Sequence, residues 1–388
     1  MKEAGKVSSG GGSRRAFLKK GVAAAGLATA AGMVIPGRLF AGGREDDGDH
    51  AQLTKGDIAI LRLLSAAEQI EADLWQQYSE LGGTQDNEVS GVNGGNPIYV
   101  GALELLDGDM AQYVHDNTDD EISHHAFLNK YLASKGAEPV DLSHFATLPS
   151  SQATGAKQVG RLTNLTQLTV DTTWWTRYRS TTNPDLGAKF MNAVPSLAKG
   201  QFTAIPRTDA DLGSSFLSDD NGQSIDNRLK AIAFTAGFHF AFIEEGGTSL
   251  YATLAQQASS LEVLRILLSI GGSETMHFQT WQDKAGNATP LTFTDPVNKS
   301  TVTFTDLTQN QPEDLQANLI MPEPCEFLHK SLGPVAIIRP TTPRNSGARA
   351  SIQSFVDDGL FIGQKDPMFL TKVFALADEA DEAQRQLR

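Results

Sequence analysis

Residues 121–124 read Glu-Ile-Ser-His, and residues 274–277 read Glu-Thr-Met-His. Each segment lies in a run whose apolar residues recur every three or four positions, which is the pattern of an amphipathic α-helix. A spacing of three places the glutamate and the histidine on one face of a helix, one turn apart. Each segment can therefore present a carboxylate and an imidazole to the same metal ion.

Two other predicted helices carry acidic residues on their apolar faces. The periodicity predicts four long helices, A to D, at about residues 54–81, 99–135, 225–257 and 261–284. Helix A contains Glu68 and Glu71, and helix C contains Glu244 and Glu245. An ionised carboxylate on an apolar face is costly unless it is paired or bound to a metal. The order of the four helices is therefore Glu, Glu-x-x-His, Glu, Glu-x-x-His.

This order resembles the ferritin-like superfamily, in which two helices each give one Glu and two others each give a Glu-x-x-His to a di-iron or di-manganese site. The chain resembles bacterial ferritin-like domain proteins exported by the twin-arginine (Tat) route and their desiccation-related relatives. The similarity covers residues 54–138 and 225–285. It implies a mainly α fold, a four-helix bundle at residues 54–285, with residues 140–224 as a long crossover between helices B and C.

The resemblance also implies a ligand set for two Fe or two Mn ions. The six ligands would be Glu68, Glu121, His124, Glu244, Glu274 and His277. Carboxylates with one imidazole per metal suit Fe or Mn better than thiophilic ions. In carboxylate-bridged sites of this kind the two ions lie about 3.5 to 4 Å apart, with open positions for a small oxidant.

One glutamate in each acidic pair must be chosen. An aromatic residue seven positions later favours Glu68, which precedes Trp75, and the same spacing favours Glu244, which precedes Tyr251. Glu71 also has an aromatic residue seven positions on, so it stays a competitor for Glu68 and is otherwise expected to act as a proton relay. Glu245 lies one residue off the apolar stripe and is the weaker alternative to Glu244.

Some similar patterns are expected to lie outside the site. A third Glu-x-x-His at residues 326–329 follows two prolines outside any long predicted helix, and we interpret it as chance. His125 would point about 100° away from its neighbour His124. A metal-free bundle is the main alternative for the four helices. In that case cations would neutralise the acids, and the candidates are Arg62, Arg228, Lys230 and Arg265.

The first 41 residues predict export. Residues 13–19 read Ser-Arg-Arg-Ala-Phe-Leu-Lys, which matches the Tat signal. The apolar run that follows, residues 21–35, is shorter than the ~20 residues of a membrane span. We therefore expect the Tat translocase as a partner, cleavage after Ala41, a linker at residues 42–53, no stable membrane anchor and a periplasmic or extracellular location.

The charge of the chain restricts its partners. Residues 1–41 carry seven Lys or Arg and one Glu, so their removal takes the net charge from −14 to −20. An acidic surface repels phosphate backbones and anionic lipids, which argues against nucleic acid and membrane partners. The single cysteine, Cys325, cannot form an internal disulfide. The sequence leaves the oligomeric state open.

Outside the four helices, the sequence predicts less regular structure. The crossover has short helical candidates near residues 162–175 and 186–194, and its Trp174-Trp175 pair is expected to cover the bundle. Helix B is interrupted near Asn117 in one interpretation. A C-terminal extension at residues 286–388 is expected to contain a β-hairpin from residues 291–294 and 301–305 and a terminal helix from residue 367.

The resemblance implies an oxidoreductase that acts with dioxygen or peroxide. Ferroxidase-like oxidation, peroxide dismutation of the manganese-catalase kind and oxidation of an organic substrate all fit a site of this type, because fold analogy alone names no reaction. The alternative is a metal-free envelope or stress-related scaffold without enzymatic activity. Iron storage is less favoured, since the long crossover and the C-terminal extension would obstruct a shell.

Overall fold

The computed structural model describes residues 53–84, 95–177, 193–213, 225–307 and 347–386, with short pieces at 222, 322–323, 329, 331–333 and 335–336. In this part the chain is mainly helical with a small two-stranded sheet. The predicted signal peptide and nearly all of the predicted linker lie outside the described residues.

Four long helices form the centre of the described structure. They are α1 (Lys55–Gly82), α3 (Met110–Ser134), α6 (Ile225–Ala255) and α7 (Leu261–Ala285). Helices α1, α6 and α7 begin and end within two residues of predicted helices A, C and D. Helix α1 packs along α3, and α6 packs along α7. None of the described helices has the length and apolar composition that crossing a bilayer requires.

Predicted helix B is divided, but not where the sequence suggested. A short helix, α2 (Pro97–Leu103), ends six residues before α3, and α3 runs without a break through Asn117. In the interruption, the Asp107 carboxylate accepts a hydrogen bond from the backbone N–H of Asp109 at 2.9 Å. A turn closed by an aspartate side chain competes with helix formation. The proposed break at Asn117 was wrong because the side chain of Asn117 bonds within the core instead.

The crossover contains little helix. Its regular elements are a 3-10 turn (Ser143–Phe145) and two one-turn helices, α4 (Trp174–Arg177) and α5 (Asp209–Leu212). The helix expected near residues 162–175 was wrong apart from α4. Asn164 accepts hydrogen bonds from both the backbone N–H and the hydroxyl of Thr166, and Leu168 pairs as an isolated bridge with Phe202. These local bonds favour an extended chain. Residues 186–192 of the second candidate lie outside the described part.

The tryptophan pair of the crossover is buried, as predicted. Trp174 packs against Phe238 of α6 and Phe278 of α7, with ring centroids 6.0 Å apart in both cases. Trp175 also lies 6.0 Å from Phe238. The pair therefore covers the helices α6 and α7.

The C-terminal region packs onto the long helices. Strand β1 (Leu291–Thr294) pairs antiparallel with β2 (Thr301–Phe304), which confirms the predicted hairpin. Strands β3 (Pro322–Glu323) and β4 (Val335–Ala336) form a second, shorter pair. Helix α9 (Pro367–Asp381) begins where the sequence predicted, whereas α8 (Ala348–Asp358) was not predicted. Helix α9 contacts both α8 and α1.

The start of α1 is tied to the turn between α6 and α7. Thr54 caps α1 by accepting a hydrogen bond from the backbone N–H of Asp57 at 3.0 Å. The buried Asp57 carboxylate accepts hydrogen bonds from the backbone N–H groups of Ser259, at 2.8 Å, and Ser260, at 3.2 Å. The Asp57 side chain thus links α1 to the turn between α6 and α7.

We expect Asp57→Ala to lower the free energy of unfolding by about 1–3 kcal/mol, because it leaves buried N–H groups of the α6–α7 turn without an acceptor. Urea denaturation followed by circular dichroism measures this change. Glu379→Ala, at an exposed position of α9, is the control and should change stability by less than about 0.5 kcal/mol. Equal effects of the two substitutions would contradict the assigned role of Asp57.

Candidate metal centre

Side chains from the four long helices meet at one buried position. Two overlapping groups have ligand atoms within 4.8 Å of one another: Glu68, Glu121, His124 and Glu274 form one, and Glu121, Glu244, Glu274 and His277 form the other. The structure thus brings together all six residues that the sequence proposed as ligands. These buried groups are close enough to hold a metal ion.

Glu121 lies between the two imidazoles. Its Oε2 atom is 3.2 Å from Nδ1 of His124, and its Oε1 atom is 3.3 Å from Nδ1 of His277. The two rings are 6.4 Å apart, centroid to centroid. Each oxygen of one carboxylate therefore faces a different imidazole.

Three carboxylates surround a single nitrogen of His124. Besides Glu121, its Nδ1 atom lies 3.3 Å from Oε2 of Glu68 and 3.3 Å from Oε1 of Glu274. An imidazole nitrogen carries at most one hydrogen, so it cannot satisfy three carboxylates at once. A cation with several coordination positions can.

The opposite nitrogen of each imidazole has its own partner. Nε2 of His277 is 2.9 Å from Oδ2 of Asp120, and Nε2 of His124 is 3.2 Å from the hydroxyl oxygen of Ser273. Such partners fix the orientation of metal-binding histidines. Sequence reasoning missed both residues, although Asp120 and Ser273 each come directly before the glutamate of a Glu-x-x-His segment and each contacts the histidine of the other segment.

Asn117 connects two carboxylates of the cluster with a buried tryptophan. Its Nδ2 atom donates to Oε1 of Glu121 at 3.0 Å and to Oε1 of Glu244 at 2.9 Å. Its Oδ1 atom accepts the indole N–H of Trp281 at 2.7 Å. On the other side of the site, the hydroxyl of Tyr251 donates to Glu68, not to the Glu244 of its own helix. These bonds hold three carboxylates in position.

The competing acids lie outside the two groups. Glu71 is buried beside them, and burial together with repulsion from Glu68, Glu274 and other carboxylates raises its pKa well above the ordinary value. Glu245 accepts a hydrogen bond from the hydroxyl of Ser249 at 3.3 Å. Burial and repulsion therefore keep the proton on the Glu71 carboxyl to a higher pH than on a free glutamate.

Two further histidines singled out by the sequence also lie outside both groups. His125 belongs to neither, as its direction on α3 predicted. His329 of the third Glu-x-x-His is exposed, and Glu326 lies outside the described residues.

Within the described residues, no lysine or arginine forms an ion pair with the carboxylates of the cluster. Its ion-pair partners there are His124 and His277. Of the cations proposed to neutralise the acids, Arg62 lies 3.7 Å from Glu138, and Arg228 donates to the backbone carbonyl of Ala210 at 2.8 Å. Among the described residues, these partners of Arg62 and Arg228 are therefore not the carboxylates of the cluster.

Burial and mutual repulsion change the protonation of the cluster. Burial, with repulsion from Glu244 and Glu68, raises the pKa of Glu121 to about 7. Burial and the same kind of repulsion raise the pKa of Glu274 well above its ordinary value. Burial alone would lower the pKa of His124 and of His277, but the carboxylates around them outweigh it and raise both values. The cluster therefore holds protons that a metal ion would have to displace.

A glycine makes room for Glu274. A Cβ atom at Gly247 would overlap the Glu274 carboxylate, whereas a Cβ at the neighbouring Gly246 would meet nothing within 4 Å. Within the described residues neither oxygen of Glu274 receives a hydrogen bond of good geometry, although both are buried. A buried carboxylate of this kind is costly unless a cation or a proton neutralises it.

Comparisons of the chain with family models, with curated proteins and with solved structures found no match. The site is therefore interpreted from its own residues and geometry.

Without metal, the protein should become less stable as the pH rises from 5 to 7. Folded Glu121 keeps its proton to about pH 7, whereas an unfolded glutamate loses it near its ordinary value. Unfolding then releases a proton in this window, and rising pH favours it. We expect the melting temperature of chelator-treated protein to fall by at least about 2 °C. Glu121→Gln should make the dependence shallower without removing it, since the pKa values of Glu274 and of both histidines are also raised. A melting temperature that rises across the window would contradict this prediction.

Proposed function

We propose that this chain is a ferritin-like four-helix bundle that holds two Fe or two Mn ions and acts with dioxygen or peroxide. The observation that carries the proposal is the sharing of Glu121 and Glu274 between two ligand groups. Each group adds one further glutamate and one histidine. Two linked sites of equal composition are what a carboxylate-bridged pair of ions requires.

The donor atoms suit this pair of ions. Glu68 and His124 would bind one ion, and Glu244 and His277 would bind the other. The shared glutamates would bridge them. Four carboxylates match the charge of two divalent cations, and a site of oxygen and imidazole ligands without thiolate favours Fe or Mn. When bound, the two ions would supply the electron transfer to or from dioxygen or peroxide.

The surrounding residues would control access and protons. The side chains of His124 and His277 are 11% and 12% exposed to solvent. The four proposed ligand carboxylates are at most 1% exposed. A small oxidant would thus enter on the imidazole side, between α3 and α7. Glu71, a buried acid whose pKa is raised by burial and by the neighbouring carboxylates, would pass a proton to the cluster.

We also propose that the chain is exported through the Tat translocase to the periplasm or beyond the cell. The support is the signal-like stretch at residues 13–19. Export of a folded protein fits a buried metal site, because the ions can be inserted in the cytoplasm before translocation.

Metal analysis tests the proposal. We expect protein purified from a host with an intact Tat system to contain two Fe or two Mn per chain, and Glu121→Gln with Glu274→Gln to lose both. Glu104→Gln, at an exposed position, is the control and should keep both. Inductively coupled plasma mass spectrometry gives the count. No metal in the unmodified chain, even after anaerobic loading with Fe²⁺ or Mn²⁺, would leave a structural scaffold without this chemistry.

A matched pair of glycine substitutions tests the position of Glu274. Gly247→Ala should weaken metal binding at least about tenfold, a loss of about 1.4 kcal/mol, because its methyl group displaces the Glu274 carboxylate. Gly246→Ala should bind metal normally and be stabilised by up to about 1 kcal/mol, since alanine favours a helix over glycine. Competition with a metal-binding dye measures both affinities. Equal affinities in the two variants would show that Glu274 is not a ligand.

A further inference from the structure

A second buried polar group lies outside the ligand cluster. The hydroxyl of Tyr78, on α1, is 2.6 Å from Nδ1 of His239, on α6. Nε2 of His239 is 2.8 Å from Oδ2 of Asp358, at the end of α8. All three side chains are buried, with Asp358 the most exposed at 1%. The proposed metal chemistry does not use any of them.

The hydrogen-bonding capacity of the side chains shows which atom donates at each contact of this group. A phenol hydroxyl has one hydrogen to donate, and His239 is its partner in the described structure. Donation from Tyr78 leaves the hydrogen of the neutral imidazole on Nε2, where it is donated to Asp358. His239 is then a base held in place by a carboxylate, within reach of the proton it would accept.

Aromatic rings connect Tyr78 with the metal ligands. The ring centroids of Tyr78 and Trp75 are 5.7 Å apart, and Trp75 stacks on Trp281 at 5.4 Å. Phe240 packs against all three, at 4.5 to 4.9 Å. The indole N–H of Trp281 bonds to Asn117, which in turn bonds to two ligand carboxylates. The path from ligands to Tyr78 is continuous.

The tryptophans on this path lack a base. In the described structure the buried indole N–H of Trp75 has no acceptor. That of Trp281 bonds to an amide oxygen, which is a very weak base. Tyr78, in contrast, has an imidazole at hydrogen-bond distance. When an electron is withdrawn through the tryptophans, Tyr78 can therefore be the residue that stays oxidised, because its hydroxyl proton can move to the imidazole of His239.

We propose that Tyr78 is a one-electron donor to the metal centre, with Trp75 and Trp281 as the electron path and His239 as the proton acceptor. This inference rests on the proposed function. The O–H bond of Tyr78 breaks, and its proton moves to Nδ1 of His239. Its electron passes to the metal centre that dioxygen or peroxide has oxidised, and that centre is thereby reduced by one electron. The products are a neutral tyrosyl radical and an imidazolium ion paired with Asp358.

Electron paramagnetic resonance tests the proposal. The full chain is loaded anaerobically with Fe²⁺, exposed to dioxygen and frozen after increasing times. We expect a radical signal whose hyperfine structure narrows when the protein is grown with ring-deuterated tyrosine, a label that leaves the fold unchanged. Tyr78→Phe should abolish the signal. Tyr99→Phe, which removes an equally buried hydroxyl bonded to the Ala204 carbonyl at 2.6 Å, should keep it.

Two more variants test the path and the base. Trp75→Phe should slow formation of the radical at least tenfold, and His239→Gln should lower its yield at least tenfold while the metal count stays unchanged. A merely structural role of His239 would alter stability and leave the radical yield per bound metal as it is.

The outcomes separate this inference from the proposed function. A signal that survives Tyr78→Phe and disappears in Tyr251→Phe would place the radical beside Glu68 and overturn the inference. Bound metal and consumption of dioxygen with no tyrosyl signal would overturn the inference and leave the proposed function standing. Failure to bind metal at all would overturn both.

Discussion

Four buried carboxylates at one point are the constraint on which the rest of this structure depends. Glu68, Glu121, Glu244 and Glu274 are each at most 1% exposed, and two histidines are their cationic partners within the described residues. Removing even one ionised carboxylate from water costs several kcal/mol unless another charge offsets it. Burial and repulsion from Glu244 and Glu68 raise the pKa of Glu121 to about 7, so a proton can offset part of this charge. A pair of divalent cations would offset all of it.

The surrounding scaffold holds this cluster from several sides. Gly247 lets α6 approach the carboxylate of Glu274, and Asn117 joins Glu121 and Glu244 to Trp281. The packed rings of Trp75, Tyr78, Phe240 and Trp281 form an aromatic layer that begins at Trp281. The His239–Asp358 bond then ties that layer to α8 in the C-terminal region. The region beyond the long helices therefore completes the core around the site, and one set of contacts serves both stability and the proposed electron path.

The sequence predicts the long helices and the residues that meet between them, because both depend on helical spacing. Apolar periodicity located α1, α6 and α7 within two residues, and the two Glu-x-x-His segments pointed to the cluster. Contacts across the fold could not be predicted in this way. The pairing of Asp120 with His277, or of Tyr251 with Glu68, depends on how helices face each other. The interruption before α3 and the extended segment after residue 162 depend on local side-chain bonds that outweigh helical propensity.

The proposed pair of metal ions is tested most directly by anomalous X-ray diffraction from crystals of the protein loaded with Fe or Mn, with data collected at the absorption edge of the metal. We expect two anomalous peaks about 3.5 to 4 Å apart, one next to Nδ1 of His124 and one next to Nδ1 of His277, with Glu121 and Glu274 between them. No peak in the cluster, or metal bound through the Nε2 atoms at the surface, would contradict it.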